Sequence, residues 1–259
     1  MGLGLRSPQI LRTEVLIWRQ LRHENILPLL GITHTRIADI RLVTPWQSKG
    51  NLSQFMKQPE AESVNRLDML LKIGRAVDYL HNHQPNVIHG DLKCVNVLVG
   101  SDNNPLICDF GLSAARYANS SSTSSPDGGS FRWMAVELLA NEQDIKPSTQ
   151  SDVWSFASLA WELLTGKLPF ADKLTNNAVR AAVISGERPP QGDFHAVRRG
   201  LSHKLYRQLR ASWSVDPDKR PTIGALLPVI SNLSSEWEQF FSISTQPRRR
   251  TVSVDVHLP

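Results

Sequence analysis

Val87-Ile88-His89-Gly90-Asp91-Leu92-Lys93-Cys94-Val95-Asn96-Val97-Leu98, followed shortly by Cys108-Asp109-Phe110-Gly111, is the stretch on which the reading of this chain turns. Across residues 86–111, short β-type runs (Val87-Ile88, Val95 to Val99, Leu106-Ile107) alternate with polar residues and turns. On either side the period becomes helical. Upstream, Leu67, Leu70, Leu71, Ile73, Gly74, Val77 and Leu80 form one stripe, which predicts an amphipathic helix over 63–83 starting at Ser63. Downstream, helical patterns occupy 133–140, 150–165, 174–185, 201–213 and 222–240. The segment from Val153 to Leu164 is apolar nearly all round, as a central buried helix is.

Further out the signals are shorter. Leu11, Val15, Trp18 and Leu21 recur at helical spacing, which predicts a helix over 11–22 ended by Asn25 and Pro28. Strands are expected near 27–33 and 39–44, then a short helix over 50–57 after Gly50. Residues 118–130 are rich in Ser and Gly and predict a mobile loop; the tail from Ser242, with Arg248-Arg249-Arg250, predicts disorder. No internal repeat is present.

Composition narrows the function classes. The 259 residues are 41% apolar and 20% charged, which suits a soluble globular protein with a sizeable core. The two cysteines, Cys94 and Cys108, give no zinc spacing and a poor disulfide framework, so a reducing, cytoplasmic location is expected. There is no apolar run long enough to span a membrane and no secretory signal pattern, and Arg6 breaks the myristoylation pattern. Much of the net charge of +5 lies in tail arginines, so no nucleic-acid partner is expected.

In order and spacing, the quoted stretch resembles the catalytic loop H-R-D-x-K-x-x-N and the metal motif D-F-G of the protein kinases. Either motif alone is a weak signal; the conjunction is strong. The resemblance implies an α+β, protein-kinase-like fold with a mostly helical large lobe and an incomplete small lobe. The small-lobe remnant is expected at 11–47, the large lobe at 48–240 and the tail at 241–259. It implies ATP and Mg2+ as cofactors and a protein substrate. Asp91 matches the carboxylate that orients the substrate hydroxyl and takes its proton, and Lys93 the cation that steadies the moving phosphoryl group. Asn96 and Asp109 match the metal ligands, suited to a hard, oxygen-loving ion. His89, Phe110 and Gly111 match packing residues of these motifs.

The resemblance runs from about residue 11 to 235. Gly129-Ser130-Phe131-Arg132-Trp133-Met134-Ala135-Val136-Glu137 is similar to the segment G-T-x-R-W-M-A-P-E that closes the activation segment, with Val136 in place of proline. Ser130 keeps the hydroxyl that bonds the catalytic Asp and Lys in serine/threonine kinases. Asp152-Val153-Trp154 matches the central-helix motif whose Asp braces the catalytic loop. Asp218-Lys219-Arg220-Pro221 matches the motif whose Arg pairs with Glu137, which predicts a buried ion pair. Thr44 falls at the gatekeeper position, Pro45 and Gln47 in the adenine-facing hinge, and Leu98 on the pocket floor. Cys108 is expected at the back of that pocket, open to electrophiles and shielded by Mg-ATP. The loop type and the tryptophans look most like the tyrosine-kinase-like group with serine/threonine specificity.

Three departures matter. Glu14 matches the first-helix glutamate, but no lysine precedes it, and Met1-Gly2-Leu3-Gly4 is too incomplete for a glycine loop. Either the leading strands lie outside this chain or it acts as a catalytically weak scaffold; in both cases an open strand edge offers a docking surface. Gly90 replaces the arginine that usually pairs with a phosphorylated activation loop. His-Gly-Asp also occurs in small-molecule phosphotransferases, a third reading opposed by the segments around Ser130, Asp152 and Arg220. Ser125 and the tail Arg248-Arg249-Arg250-Thr251-Val252-Ser253 offer phosphoacceptors, though a solvated loop and tail explain them as well.

Overall fold

The computed structural model describes residues 15–34, 40–109, 130–140 and 145–245. Glu14, Phe110, Gly111, Ser125 and most of the Ser-rich loop lie outside the described residues, as does the chain beyond 245.

Helices make up most of the described chain, with two small antiparallel sheets, so the α+β class holds. In the first sheet β1 (Gly31–His34) pairs with β2 (Ile40–Val43), Ile32 opposite Leu42. In the second, β3 (Val97–Val99) pairs with β4 (Pro105–Ile107), Leu98 opposite Leu106. The strand expected at 27–33 is split. Ile26 makes a single parallel bridge to Ile107, and the ladder with β2 begins only at Gly31, because Pro28 has no N–H to give.

Val87-Ile88 is a second correction, since it belongs to no strand. The Val87 N–H bonds the Leu80 carbonyl, and the N–H groups of His89 and Gly90 go to a side chain instead of a neighbouring strand. The expected long helix spans Arg66–Asn82, and its cap is Asn65, whose side chain accepts from the N–H groups of Leu67 and Asp68. Ser63 ends a preceding 3-10 turn, Pro59–Ser63. The patterns at 174–185 and 201–213 become Asn176–Ile184 and His203–Ser212, and a short helix, Phe194–Arg198, was not legible between them. The last helix, Ile223–Thr245, runs past residue 240 into the expected tail.

The core centres on the helix Thr149–Thr165. It is buried on all sides from Ser151 to Thr165, starts in a Ser148–Ser151 capping box and stops at Gly166 with φ 73°. The helix Arg66–Asn82 packs between it and the C-terminal helix. Trp154, Phe156, Leu70, Ile73 and Leu80 fill the centre. The N-terminal elements are tied down by directed bonds: Trp18 donates its indole N–H to the Leu27 carbonyl at 2.7 Å, and the Tyr79 hydroxyl accepts from the Arg22 N–H at 3.0 Å. Among the described residues no helix is long and apolar enough to cross a membrane.

The ion pair between Glu137 and Arg220 is present and bidentate, at 2.8 and 2.6 Å across 83 residues of sequence. The Arg220 side chain is 0% exposed and that of Glu137 18%. The guanidinium also reaches the carbonyls of Ser214 and Gln150 and lies 5.1 Å from the Trp154 ring. Arg220→Ala strands a carboxylate and two carbonyls, so it is expected to cost about 3–5 kcal/mol in urea denaturation. An unchanged midpoint would show that the pair adds nothing to this fold.

Candidate active site

The catalytic-loop stretch is held from behind by Asp152, which the first turn of the central helix delivers at 0% exposure. Its Oδ2 accepts the N–H of His89 at 2.8 Å and its Oδ1 the N–H of Gly90 at 2.7 Å. His81 Nε2 completes the set at 3.0 Å from Oδ2. One buried carboxylate thus fixes two successive peptide planes, and charge-assisted bonds of this kind are short and strong. Gly90 sits between them at φ 70°, a conformation glycine adopts without steric penalty. His89 is fully buried; burial lowers its pKa, against the raising effect of the nearby carboxylates of Asp152, Asp91 and Asp109.

In front of this anchor lies a row of polar groups. Lys93 Nζ is 2.9 Å from Asp91 Oδ2 and donates to the Ser130 hydroxyl at 2.8 Å. Asn96 donates its amide N–H to the Asp91 carbonyl at 2.7 Å and to Asp91 Oδ2 at 2.9 Å. These four residues come from two segments, and the structure brings all of them together. The Cys108 N–H bonds the Asn96 carbonyl at 3.0 Å, so Asp109 follows directly beside Asn96. Asp109 is exposed and has φ 59°, in the left-handed region that few non-glycine residues occupy. Backbone strain of this sort gathers where a side chain must be aimed at a ligand.

The donor set fits Mg2+. The Asn96 amide nitrogen is taken up by Asp91, which leaves the amide oxygen as the atom for a cation, and Asp109 offers an exposed carboxylate. Among the described residues no cluster of three or more His, Cys, Asp or Glu could hold a metal. An amide oxygen and one carboxylate leave most of an octahedral shell to phosphate oxygens and water, as Mg2+ requires.

The residues expected to form the hinge lie beside β3. The Val99 N–H bonds the Gly50 carbonyl at 2.9 Å, the Gly50 N–H bonds the Gln47 carbonyl at 3.2 Å, and Asn51 bridges to Leu98. Thr44 and Leu98 are half-buried, whereas Trp46 is 89% exposed. The Gln47 side chain donates to the Pro45 carbonyl at 3.3 Å, so the group expected to face adenine already has one internal partner.

Two participants escaped the sequence reading. Glu162, 5% exposed, is one: its Oε2 accepts the Cys94 N–H at 3.1 Å and the Trp133 indole N–H at 2.9 Å. Burial raises its pKa, opposed by those bonds and by Lys93. The available signal was that Glu162 is the sole charge between Val153 and Leu164. His81, on Asp152, is the other, and nothing in the local pattern marked it.

Cys108 requires a correction. Its thiol is 6% exposed, contacts the Asn96 carbonyl at 3.4 Å and has its pKa pushed up by burial and then by Asp109. The thiolate is the reactive form, so burial and the raised pKa both disfavour reaction here. Cys94 is buried too, with its pKa raised well above the ordinary value by burial. Iodoacetamide is therefore expected to label neither cysteine in the folded protein, with or without Mg-ATP, and both in urea, read by mass spectrometry. Labelling of native Cys108 that Mg-ATP slows would restore the open-pocket expectation.

Comparison with known proteins agrees with this geometry. A family model described as protein tyrosine and serine/threonine kinase matches residues 6–230. The chain is 31% identical over 86% of its length to serine/threonine-protein kinase STY17 of Arabidopsis thaliana, and 31% over 85% to serine/threonine-protein kinase CTR1 of the same plant. It is 31% identical over 81% to receptor-interacting serine/threonine-protein kinase 2 of Bos taurus. It spans 37%, 26% and 40% of the lengths of those relatives. ATP with Mg2+ is the cofactor pair of the matched family. With its catalytic loop, metal-side residues and closing segment assembled on this fold, the chain belongs to the protein tyrosine and serine/threonine kinase family, in its tyrosine-kinase-like group.

Proposed function

We propose that this chain transfers the γ-phosphoryl group of ATP to serine and threonine hydroxyls of proteins, as a step in signal transduction. The observation that carries the reading is the run Asp91–Lys93–Ser130, at 2.9 and 2.8 Å. Asp91 is oriented by Asn96 and Lys93 so that one carboxylate oxygen faces a substrate hydroxyl, aligns it and accepts its proton. Lys93 places a positive charge where the transferred group develops negative charge. Ser130 fixes the Lys93 ammonium and ties the end of the activation segment to the reacting groups. Asn96 and Asp109 would hold the metal ion, which would supply neutralisation of phosphate charge. Thr44, Pro45, Gln47 and Leu98 line the adenine side.

The test is phosphotransfer by the natural protein, captured from its own cells, from labelled ATP and Mg2+ to myelin basic protein, with phosphoamino-acid analysis. Phosphoserine and phosphothreonine are expected, falling about 100-fold or more in Asp91→Asn, which keeps the shape but removes the base. Transfer no greater than that of Asp91→Asn overturns the reading, and label confined to tyrosine overturns the serine/threonine assignment. Ser130→Ala is expected to lower kcat about tenfold, the effect of losing one bond to a charged group. Ser130→Thr, which keeps the hydroxyl, is expected to restore it.

A further inference from the structure

The outer face of the helix His203–Ser212 is built from basic side chains. His203, Lys204, Arg207 and Arg210 are exposed, while Leu205 and Leu209 are buried. Residues 203, 207 and 210 follow the spacing that stacks side chains along one face of a helix. Lys204, Arg207 and Arg210, three residues apart, present a cation about every 5 Å at the rise of an α-helix. None of Lys204, Arg207, Arg210 or the neighbouring Arg198 takes part in an ion pair among the described residues. Between Asp193 and Asp216 the sequence contains no carboxylate at all.

This arrangement works against the helix that carries it. The positive end of a helix favours acidic residues, yet the first turn here has none and holds His203 and Lys204 instead. The excess is felt nearby: the pKa of Arg188 is lowered to about 10, by burial first and then by Arg210 and Arg220. Arg210, in the last turn, suits the helix dipole, but Lys204 and Arg207 gain nothing from the fold. These cations are exposed and unpaired within the described chain, so they are available to a partner outside the molecule.

We propose that this face docks an acidic segment of the protein substrate, holding it while the catalytic loop acts on a hydroxyl elsewhere in the same partner. The proposal rests on the kinase reading above and adds the substrate class. Arginine forks bind carboxylates in pairs, which suits a string of Asp and Glu side chains. A lipid surface fits less well, because the basic helix exposes no large apolar side chain that would enter the acyl region. Tethering of this kind raises the local concentration of the acceptor hydroxyl without any new contact at the catalytic loop.

The experiment is fluorescence anisotropy of the whole protein with a fluorescein-labelled, glutamate-rich peptide carrying one leucine and no hydroxyl residue. Binding that weakens as salt rises is expected. The variant Lys204→Glu/Arg207→Glu/Arg210→Glu is expected to lose about tenfold or more in affinity. Lys57→Glu/Arg75→Glu/Lys146→Glu, with the same change in net charge on other exposed positions, is expected to bind like the native protein. If the first variant fails to fold by circular dichroism, Arg207→Gln/Arg210→Gln decides, with a clear loss expected. Equal loss in both charge-reversed variants overturns the proposal in favour of net charge alone. Absence of peptide binding, with phosphatidylserine vesicles bound through the same residues, overturns it in favour of a membrane. Asp91→Asn is expected to bind the peptide normally, so a failure of the kinase reading shows in the transfer assay and not here.

Discussion

The structure depends on one buried carboxylate. Asp152 accepts two consecutive backbone N–H groups, from His89 and Gly90, at 2.8 and 2.7 Å and across more than sixty residues of sequence. Those groups would otherwise be unsatisfied, since this stretch joins no sheet. The bond pair therefore replaces a strand ladder, and it sets the path of the chain into Asp91. The central helix supplies the rigidity: buried all round and capped at both ends, it leaves the Asp152 side chain no alternative position.

A second tier extends this anchoring to the segment that carries Ser130. Glu162 holds the Cys94 N–H and the Trp133 indole on one oxygen, and the Ser155 hydroxyl bonds the Trp133 carbonyl at 2.8 Å. Glu137, just beyond, is clamped by Arg220. Arg132 reaches the carbonyls of Pro169, Phe170 and Lys173. Each bond joins the end of the activation segment to the helical body, so Ser130 meets Lys93 as a consequence of the fold. Polar groups in such a dry interior are costly to leave unpaired, which makes the arrangement specific as well as stable.

What was legible in the sequence follows from locality. Asp91, Lys93 and Asn96 lie within one turn of chain, so their order alone suggested a shared site. The helix stripes were legible because burial imposes a period, and the central helix stood out by being apolar all round. Helix starts were not: Ser63 and Asn65 are both good caps, and only the packed structure selects Asn65, whose amide also reaches Ser234 and Glu238. Val87-Ile88 looked like a strand because β-branched residues favour extended backbone, but strand pairing needs a partner that pattern cannot supply. His81 and Glu162 act through contacts distant in sequence, and Cys108 was misjudged because burial is a property of packing.

Gly90 ties these observations to control. The resemblance implies an arginine at this position in many kinases, where it answers a phosphate on the activation segment. In this chain the position has φ 70° and its N–H is locked on Asp152. A residue with a Cβ pays roughly 1–2 kcal/mol in that left-handed conformation, so glycine gives the loop its shape at least strain. Under the kinase reading, it also leaves no side-chain cation at this position to answer such a phosphate. Among the described residues, the loop is held by carboxylates from inside the fold, Asp152 and Glu162. Under the kinase reading proposed above, control would then act on what reaches the loop, the nucleotide and the acceptor protein, and not on ordering the loop itself.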